Sequence, residues 1–156
     1  MPRSYKSTEV FVKPDPRFGS KLATKIMNKL MWGGKRSTAQ AIFYDAMDLV
    51  AQKVPSDPVE VFTKAIDNIK PQVEVRSKRV GGATYQVPME VNRRRQLSLA
   101  IRWLIDAARA KRGKPMSRRL ADEIFDAFNN QGAAVTKKEN VHKMAEANSA
   151  YSHFAW

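Results

Sequence analysis

Cysteine is absent from the 156-residue chain, and histidine occurs twice. The absence of cysteine excludes disulfide bonds, thiolate nucleophiles and cysteine-based zinc sites. Long hydrophobic runs are also missing, and no apolar stretch is long enough to span a bilayer. The N-terminal segment MPRSYKSTEV lacks the apolar core of a secretory signal peptide. We therefore expect a soluble intracellular protein without a membrane partner.

Signs of catalysis are equally scarce. Neither His142 nor His153 occurs in a metal-ligand spacing such as HExxH, and the segment WGGKRS lacks the spacing of a phosphate-binding loop. We interpret His142 as a helix-surface residue. Asp122, Glu123 and Asp126 are interpreted as acids in the first turn of a helix, where they favour its dipole. The sequence thus predicts no catalytic residue, no metal site and no cofactor.

Acidic residues are outnumbered, since 28 Lys and Arg face 15 Asp and Glu and leave a net charge of +13. Residues 1–36 carry nine basic and two acidic side chains, and residues 76–119 carry thirteen and two. Two such stretches repel themselves unless an anionic partner lies against them. The predicted partner is a polyanion, most often a nucleic acid.

Apolar residues recur at helical spacing through most of the chain and predict a mainly α fold of six helices in a single domain. Capping and breaking residues set the helix boundaries. The helices are predicted at residues 20–31, from Ser37 with Gln40 in a capping box, from the N-cap Asp57 to Pro71, from about Asn92 to Lys111, from Pro115 at the first helical position to 129–132, and from a capping box of Thr136 and Glu139 to Ala147.

Strand-like alternation interrupts the helices between Val73 and Val91. The two runs flank Gly81-Gly82, which suits a type I′ turn because both central residues of that turn need positive φ. We therefore predict a two-stranded β-hairpin arm over residues 72–90 that protrudes by roughly 25 Å. Three cations approach its tip, where they are expected to bury nothing: Arg76, Lys78 and Arg79.

Further cations lie beside the predicted apolar stripes. Three lysines recur every fourth residue on the first helix: Lys21, Lys25 and Lys29. Three arginines recur every seventh residue on the fourth helix, where Asp106 cannot neutralise them all: Arg95, Arg102 and Arg109. Lys35 and Arg36 precede a helix N-terminus, where amides and side chains together would hold a phosphate. Each group has a plain alternative, a solvated face, but together they favour a nucleic-acid surface.

Six segments resemble a known family: DPRFGS (15–20), GKRSTA (34–39), PQVEVRSKRVGGATYQVPMEV (71–91), LAIRWLIDAAR (99–109), RRLADE (118–123) and VHKMAEANSAYSHFAW (141–156). Collinear over nearly the whole chain, they resemble the bacterial form of small-subunit ribosomal protein seven. The resemblance implies six helices with a protruding hairpin, and a non-enzymatic primary binder of 16S ribosomal RNA that nucleates assembly of the subunit head. It further implies a cytoplasmic place at the subunit interface, near the exit-site tRNA and the mRNA and beside small-subunit proteins nine and eleven.

The predicted rRNA-binding residues are Arg3, Lys21, Lys25, Lys29, Lys35, Arg36, Arg76, Lys78, Arg94, Arg95, Arg102, Arg109, Lys111, Arg118, Arg119, Lys137 and Lys138. The residues predicted near tRNA and mRNA are Arg79, Val80, Gly81, Gly82, Tyr85, Tyr151 and His153, the two tyrosines being placed to touch bases. A basic N-terminal arm (1–19), the hairpin (72–90) and a C-terminal tail (148–156) would extend from the single RNA-binding domain. Two alternatives remain: a basic architectural DNA-binding protein, and a nucleic-acid-modifying enzyme, which the missing catalytic constellation disfavours.

Overall fold

The computed structural model describes residues 11–155. Its elements in chain order are α1 (Lys21–Leu30), α2 (Arg36–Lys53), α3 (Pro58–Ile69), β1 (Val73–Val80), β2 (Ala83–Glu90), α4 (Arg93–Ala110), α5 (Met116–Phe128), α6 (Ala133–Ala147) and a C-terminal 3-10 helix (Ser149–Phe154). The two strands pair with each other in an antiparallel hairpin. The predicted fold class, mainly helical with one protruding hairpin, is confirmed. The predicted contacts of Arg3 lie outside the described residues.

The hydrophobic core forms around α5, which packs against α2, α3 and α4. Apolar residues that recur every three or four positions face this centre, and Ile66, Leu104 and Ile124 are fully buried. Phe43 of α2 and Phe62 of α3 meet edge to face, with ring centroids 5.6 Å apart. The helical stripes predicted from the sequence therefore build the core.

Two helix starts follow the local capping rules. The Asp57 side chain accepts a hydrogen bond from the Val59 backbone N–H at 3.1 Å, and Pro58 is the first residue of α3, as predicted. The Asn92 side chain likewise accepts from the Arg95 N–H at 2.9 Å and begins α4. In both cases the required acceptor is adjacent in the sequence.

Three predicted starts are wrong. Helix α2 begins at Arg36, so Ser37 is inside the helix and the N-cap is Lys35. Pro115 is the N-cap of α5 rather than its first helical residue. Helix α6 begins at Ala133, and the Thr136 hydroxyl donates to the Gly132 carbonyl at 3.0 Å instead of capping the helix. The cap of α6 comes from another helix, which no local motif could indicate.

That cap is Glu123, a fully buried residue in the middle of α5. Its Oε1 accepts a hydrogen bond from the Ala134 backbone N–H at 2.9 Å, and its Oε2 pairs with the Lys111 Nζ at 2.7 Å. Burial alone would lower the pKa of Lys111, but hydrogen bonds to Glu123 and Asp126 outweigh it and raise the pKa. The interpretation of Asp122, Glu123 and Asp126 as first-turn acids is wrong, because α5 already begins at Met116.

The hairpin has the predicted turn. Val73 pairs with Glu90 and Val80 with Ala83, so Gly81 and Gly82 form a two-residue loop. Their φ angles of +59° and +88° lie in the left-handed region that a type I′ turn requires. The outer strand residues are largely exposed, whereas Val87 near the base is fully buried. The hairpin is thus anchored at its base and projects from the helices.

Two polar contacts fix the base of the hairpin. Glu74 of β1 is 7% exposed and accepts from the Nε atoms of Arg76 at 2.7 Å and Arg95 at 2.8 Å. Burial alone would raise the pKa of Glu74, but the two guanidiniums outweigh burial and lower the pKa below its ordinary value of 4.5. His142 of α6 accepts from the Gln72 backbone N–H at 3.1 Å, so it is more than the surface residue that was predicted. Burial, together with the charge of nearby Lys138, lowers the His142 pKa and favours the neutral, accepting ring.

Removing the Glu123 carboxylate is expected to lower the free energy of unfolding. Glu123→Ala leaves the Ala134 N–H without its acceptor and Lys111 without its buried partner, so we expect a loss of about 3 kcal/mol. Urea unfolding followed by circular dichroism measures this loss. The matched control is Glu139→Ala, an exposed glutamate on α6, which should change the free energy by less than about 0.5 kcal/mol. Equal losses in the two variants would contradict the role assigned to Glu123.

Replacing Glu74 should reveal the stabilising contribution of the hairpin base. We expect Glu74→Gln to lower the free energy of unfolding by about 1 kcal/mol at neutral pH, a modest value because both arginines are half exposed. A carboxylate with a lowered pKa stabilises fully above its ordinary value of 4.5, and this contribution disappears as the pH falls through the folded-state value. In urea titrations, the difference between wild type and variant should therefore shrink from pH 7 to about pH 3. Glu90→Gln, on the exposed face of β2, is the control, and a pH-independent difference for Glu74→Gln would refute the assignment.

Candidate nucleic-acid interface

A groove between α1 and α4 brings predicted cations together from distant parts of the chain. Lys25 and Lys29 of α1 line it with Arg94 of α4, and Leu97 and Ile101 form much of its apolar floor. Among the described residues that line this groove there is no carboxylate. The lysines are displayed because Ser20 caps α1 and its apolar stripe faces α2 and α4. This groove can accept an anion along its length.

The α1–α2 loop extends this basic surface. The N-terminus of α2 has no side-chain cap, and Lys35 and Arg36 are exposed beside it. Cations at this position are unfavourable for the helix dipole, whereas an anion there would be bound by both the amides and the side chains. Gly33 and Gly34 have φ angles of +57° and +73°, which allow the tight reversal between the helices. We call Lys25, Lys29, Lys35, Arg36, Arg94 and Arg109 the basic face.

Sequence reasoning missed one residue beside the basic face. Trp32 of the α1–α2 loop is 78% exposed, which is unusual for a large apolar side chain. The guanidinium carbon of Arg109 lies 5.0 Å from the centroid of its ring, and the Nη2 atom of Arg109 donates to the Leu30 carbonyl at 3.3 Å. The available signal was the position of Trp32 after the apolar stripe of α1 and directly before Gly33.

Other predicted rRNA-binding residues have partners inside the protein. Arg76 and Arg95 share Glu74, so neither matches the expectation of a solvated arginine. Lys78 donates through Nζ to the Phe154 carbonyl at 3.0 Å, which shows that the cations of the arm do not all project freely. Their predicted role in binding RNA is compatible with these contacts, because Arg76 and Arg95 keep close to half of their side-chain surface exposed.

Three further cations have partners inside the protein. Arg119 and Lys138 donate to carbonyl groups at helix ends, and Lys111 pairs with Glu123 and Asp126. Arg119 donates through Nη1 to the carbonyls of Lys111 at 2.6 Å and Arg109 at 3.3 Å, at the C-terminus of α4. Lys138 donates to the Asn68 carbonyl at 2.7 Å, at the C-terminus of α3. Cations are favourable at both places because the carbonyl ends of helices carry partial negative charge. Lys111, Arg119 and Lys138 therefore have a structural task whatever else they bind.

The remaining predicted cations are exposed: Lys21, Arg79, Arg102, Arg118 and Lys137. The side chains of these five make no hydrogen bond or ion pair with residues 11–155. Arg102 lies on the outer side of α4, and Asp106 is not within ion-pair distance of it or of Arg109. These side chains are available to phosphates.

The residues predicted near tRNA and mRNA occupy the outer hairpin and the tail. Arg79, Val80, Gly81 and Gly82 form the tip of the hairpin. The C-terminal 3-10 helix packs on β2, and the Tyr85 ring lies 5.2 Å from the Tyr151 ring and 5.3 Å from the Phe154 ring. His153 is exposed beside this cluster. Tyr85 and Tyr151 are thus brought together, although each covers part of the other.

Residues 11–155 show no sign of a metal site or of a membrane-spanning helix. No group of three or more histidine or acidic side chains there is arranged to hold a metal ion. None of the helices in this part of the chain is long and apolar enough to cross a membrane.

Comparisons with known proteins agree on one family. Residues 2–149 match the family model described as ribosomal protein S7p/S5e. A protein of Fervidobacterium nodosum named small ribosomal subunit protein uS7 is 57% identical over 145 residues, which cover 93% of this chain and 94% of that protein. Proteins of the same name from Thermotoga petrophila and Maridesulfovibrio salexigens are 54% and 53% identical, the first over 93% of this chain and 94% of that protein and the second over the full length of both chains.

Proposed function

The chain belongs to the ribosomal protein S7p/S5e family, and from that premise we propose that it is a primary binder of 16S ribosomal RNA that nucleates assembly of the head of the small subunit. Membership makes it a structural constituent of the small ribosomal subunit of bacteria, where it takes part in translation, rather than an enzyme. Like the bacterial ribosome to which it belongs, the protein is located in the cytoplasm. The alternative of an architectural DNA-binding protein is no longer needed.

The basic face is the observation that carries the proposal. Its cations come from α1, the α1–α2 loop, the first residue of α2 and α4, and the fold gathers them around α1. Each lysine or arginine that contacts a phosphate releases condensed counterions from the RNA, which favours binding at low salt.

We propose a division of labour between the helices and the extensions. The basic face anchors the protein on 16S ribosomal RNA, with the N-terminal arm (1–19) adding contacts. The tip of the hairpin (72–90) and the tail (148–156) contact exit-site tRNA and mRNA at the subunit interface. The strands of eight residues support this reach, because each spans roughly 25 Å at about 3.3 Å per residue. The proposed neighbours, small-subunit proteins nine and eleven, rest on the family resemblance alone.

Removing cations from the basic face should flatten the salt dependence of RNA binding. We expect Lys29→Gln combined with Arg36→Gln to weaken binding to 16S ribosomal RNA and to lower the slope of log affinity against log salt by about 1.5 units. Filter binding over several salt concentrations measures the slope. Both residues are exposed, so urea unfolding should be unchanged.

The control for this pair is Lys143→Gln, which removes an exposed cation from α6, away from the basic face. It should change the overall charge without a comparable change in slope. An unchanged slope in the double variant, or an equal change in the control, would show that the basic face does not contact the RNA.

Shortening the hairpin tip should separate anchoring from tRNA contact. Deleting residues 79–84 and joining Lys78 to Tyr85 through Asn-Gly keeps the last cross-strand pair and supplies a turn of the same type. It also preserves the contacts of Lys78 and Tyr85 with the C-terminal 3-10 helix. Affinity for 16S ribosomal RNA should stay within about twofold, because the deleted tip makes no phosphate contact in the anchor. Retention of deacylated tRNA in the exit site of reconstituted subunits should fall.

Two variants control for charge and folding. Arg79→Gln removes one tip cation without shortening the arm and should give a smaller loss of tRNA retention. Circular dichroism and urea unfolding establish that the shortened protein is folded. A folded, shortened protein that fails to bind 16S ribosomal RNA would place the tip in the anchor and refute the division.

A further inference from the structure

Trp32 presents an apolar surface that residues 11–155 leave largely uncovered. It is 78% exposed, more than the other large exposed residues Phe11, Met144 and Tyr151. Burying an indole contributes more to stability than burying most side chains, so an exposed tryptophan forgoes a large gain. Its position in a loop directly before Gly33 and Gly34 keeps it away from the core. A single exposed apolar side chain does not by itself mark a ligand surface, so the groups around Trp32 decide what it can bind.

Arg109 makes this surface ordered. Its guanidinium lies over the Trp32 ring at 5.0 Å and is itself anchored by the hydrogen bond to the Leu30 carbonyl. A cation over an indole is attracted by the negative face of the ring and limits its rotation. Because Trp32 remains 78% exposed with Arg109 in place, much of the ring is still open to a second planar group. Arg109 and Trp32 thus present a cation and an accessible aromatic ring side by side.

The surroundings of Trp32 specify a ligand that is both flat and anionic. Lys35 lines the same hollow as Trp32, and the other described residues there, such as Leu30 and Thr38, carry no negative charge. A Cβ at Gly33 or Gly34 would meet no atom within 4 Å, so the space beside the loop is open to a chain passing close to the backbone. An unpaired nucleotide of RNA has these properties, with a base that stacks and a phosphate that pairs with cations.

We propose that Trp32, backed by Arg109, is a stacking platform for one unpaired RNA nucleobase, with Lys35 binding an adjacent phosphate. This inference rests on the proposed function, since it assigns a base contact within the anchor on 16S ribosomal RNA. Stacking distinguishes this residue from the rest of the basic face. It adds affinity through the base and releases no counterion, so it is sensitive to the RNA but insensitive to salt.

The test uses the full chain and 16S ribosomal RNA transcribed in vitro, with no other protein present. Trp32→Ala is expected to weaken binding about tenfold at every salt concentration, with an unchanged slope of log affinity against log salt. Trp32→Leu, which keeps apolar surface but lacks an aromatic face, should lose as much. Trp32→Phe should stay within about threefold of wild type because it can still stack.

Fluorescence gives a second readout. In a Trp103→Phe, Trp156→Phe background, Trp32 is the remaining indole, and its emission should be quenched when the RNA binds. Met144→Ala, which removes another exposed apolar side chain from α6, is the matched control and should bind like wild type. Urea unfolding verifies that the Trp32 variants are as stable as wild type, as expected for an exposed position.

The outcomes separate the two proposals. If wild type does not bind 16S ribosomal RNA tightly, the proposed function fails and the platform fails with it. If wild type binds but Trp32→Ala binds within twofold of it, or emission does not change, the platform alone is refuted. If Trp32→Leu and Trp32→Phe bind 16S ribosomal RNA with equal affinity, Trp32 makes a plain apolar contact with the RNA and does not stack on a base. A flattened salt slope in Trp32→Ala would mean that the residue acts by positioning phosphate contacts instead.

Discussion

The pairing of the buried Glu123 carboxylate with Lys111 and with the Ala134 backbone N–H is the interaction on which the arrangement of α4, α5 and α6 depends. The carboxylate is fully buried in α5, the helix at the centre of the core, and it joins the end of α4 through Lys111 to the start of α6 through Ala134. Gly132 allows this approach, because a Cβ there would lie 2.9 Å from the carboxylate oxygen. A buried charge is tolerated when it is paired and hydrogen-bonded, and here the same group fulfils both conditions. Together with the buried apolar residues of α6, Glu123 therefore fixes the position of this helix, which supports the hairpin.

The cations divide into two classes that net charge alone does not distinguish. Some neutralise the protein's own negative ends and carboxylates, as Lys138 does at the end of α3 and Arg95 does at Glu74. Others, such as Lys29 and Arg36, are exposed on or beside α1. The described residues that line the groove between α1 and α4 include no carboxylate. The first class holds the helices and the arm in place, and the second presents charge outward. A folded chain with this excess of positive charge is thus both internally paired and ready for a large anion.

Several features whose cause is local in the sequence could be predicted, although the local motifs at Ser37 and Thr136 misplaced two helix starts. Features whose cause is distant in the sequence could not be predicted. The Asp57 cap and the Gly81-Gly82 turn depend on neighbouring residues and were found from the sequence. The partner of Arg95 is 21 residues away and that of Lys138 is 70 residues away, so neither partner was predicted, and both cations were interpreted as rRNA-binding residues. Trp32 follows no helical or strand period, and its place directly before Gly33 indicates a loop without indicating that the ring is exposed. The convergence of α1 and α4 into one groove also required the fold.

The C-terminal 3-10 helix packs on β2 and supports the hairpin at a second point along its length. One support is at the root, where Glu74 joins α4, and the other is in the outer half, where Lys78 and Tyr85, the third pair from the turn, contact the tail. Only residues 79–84 of the hairpin extend beyond this second support. A shorter unsupported segment bends less under the same force. A force on the tip therefore acts on the C-terminal 3-10 helix (Ser149–Phe154) as well as on α4. This short helix limits how far the arm bends, although it lies away from the tip that meets the ligand.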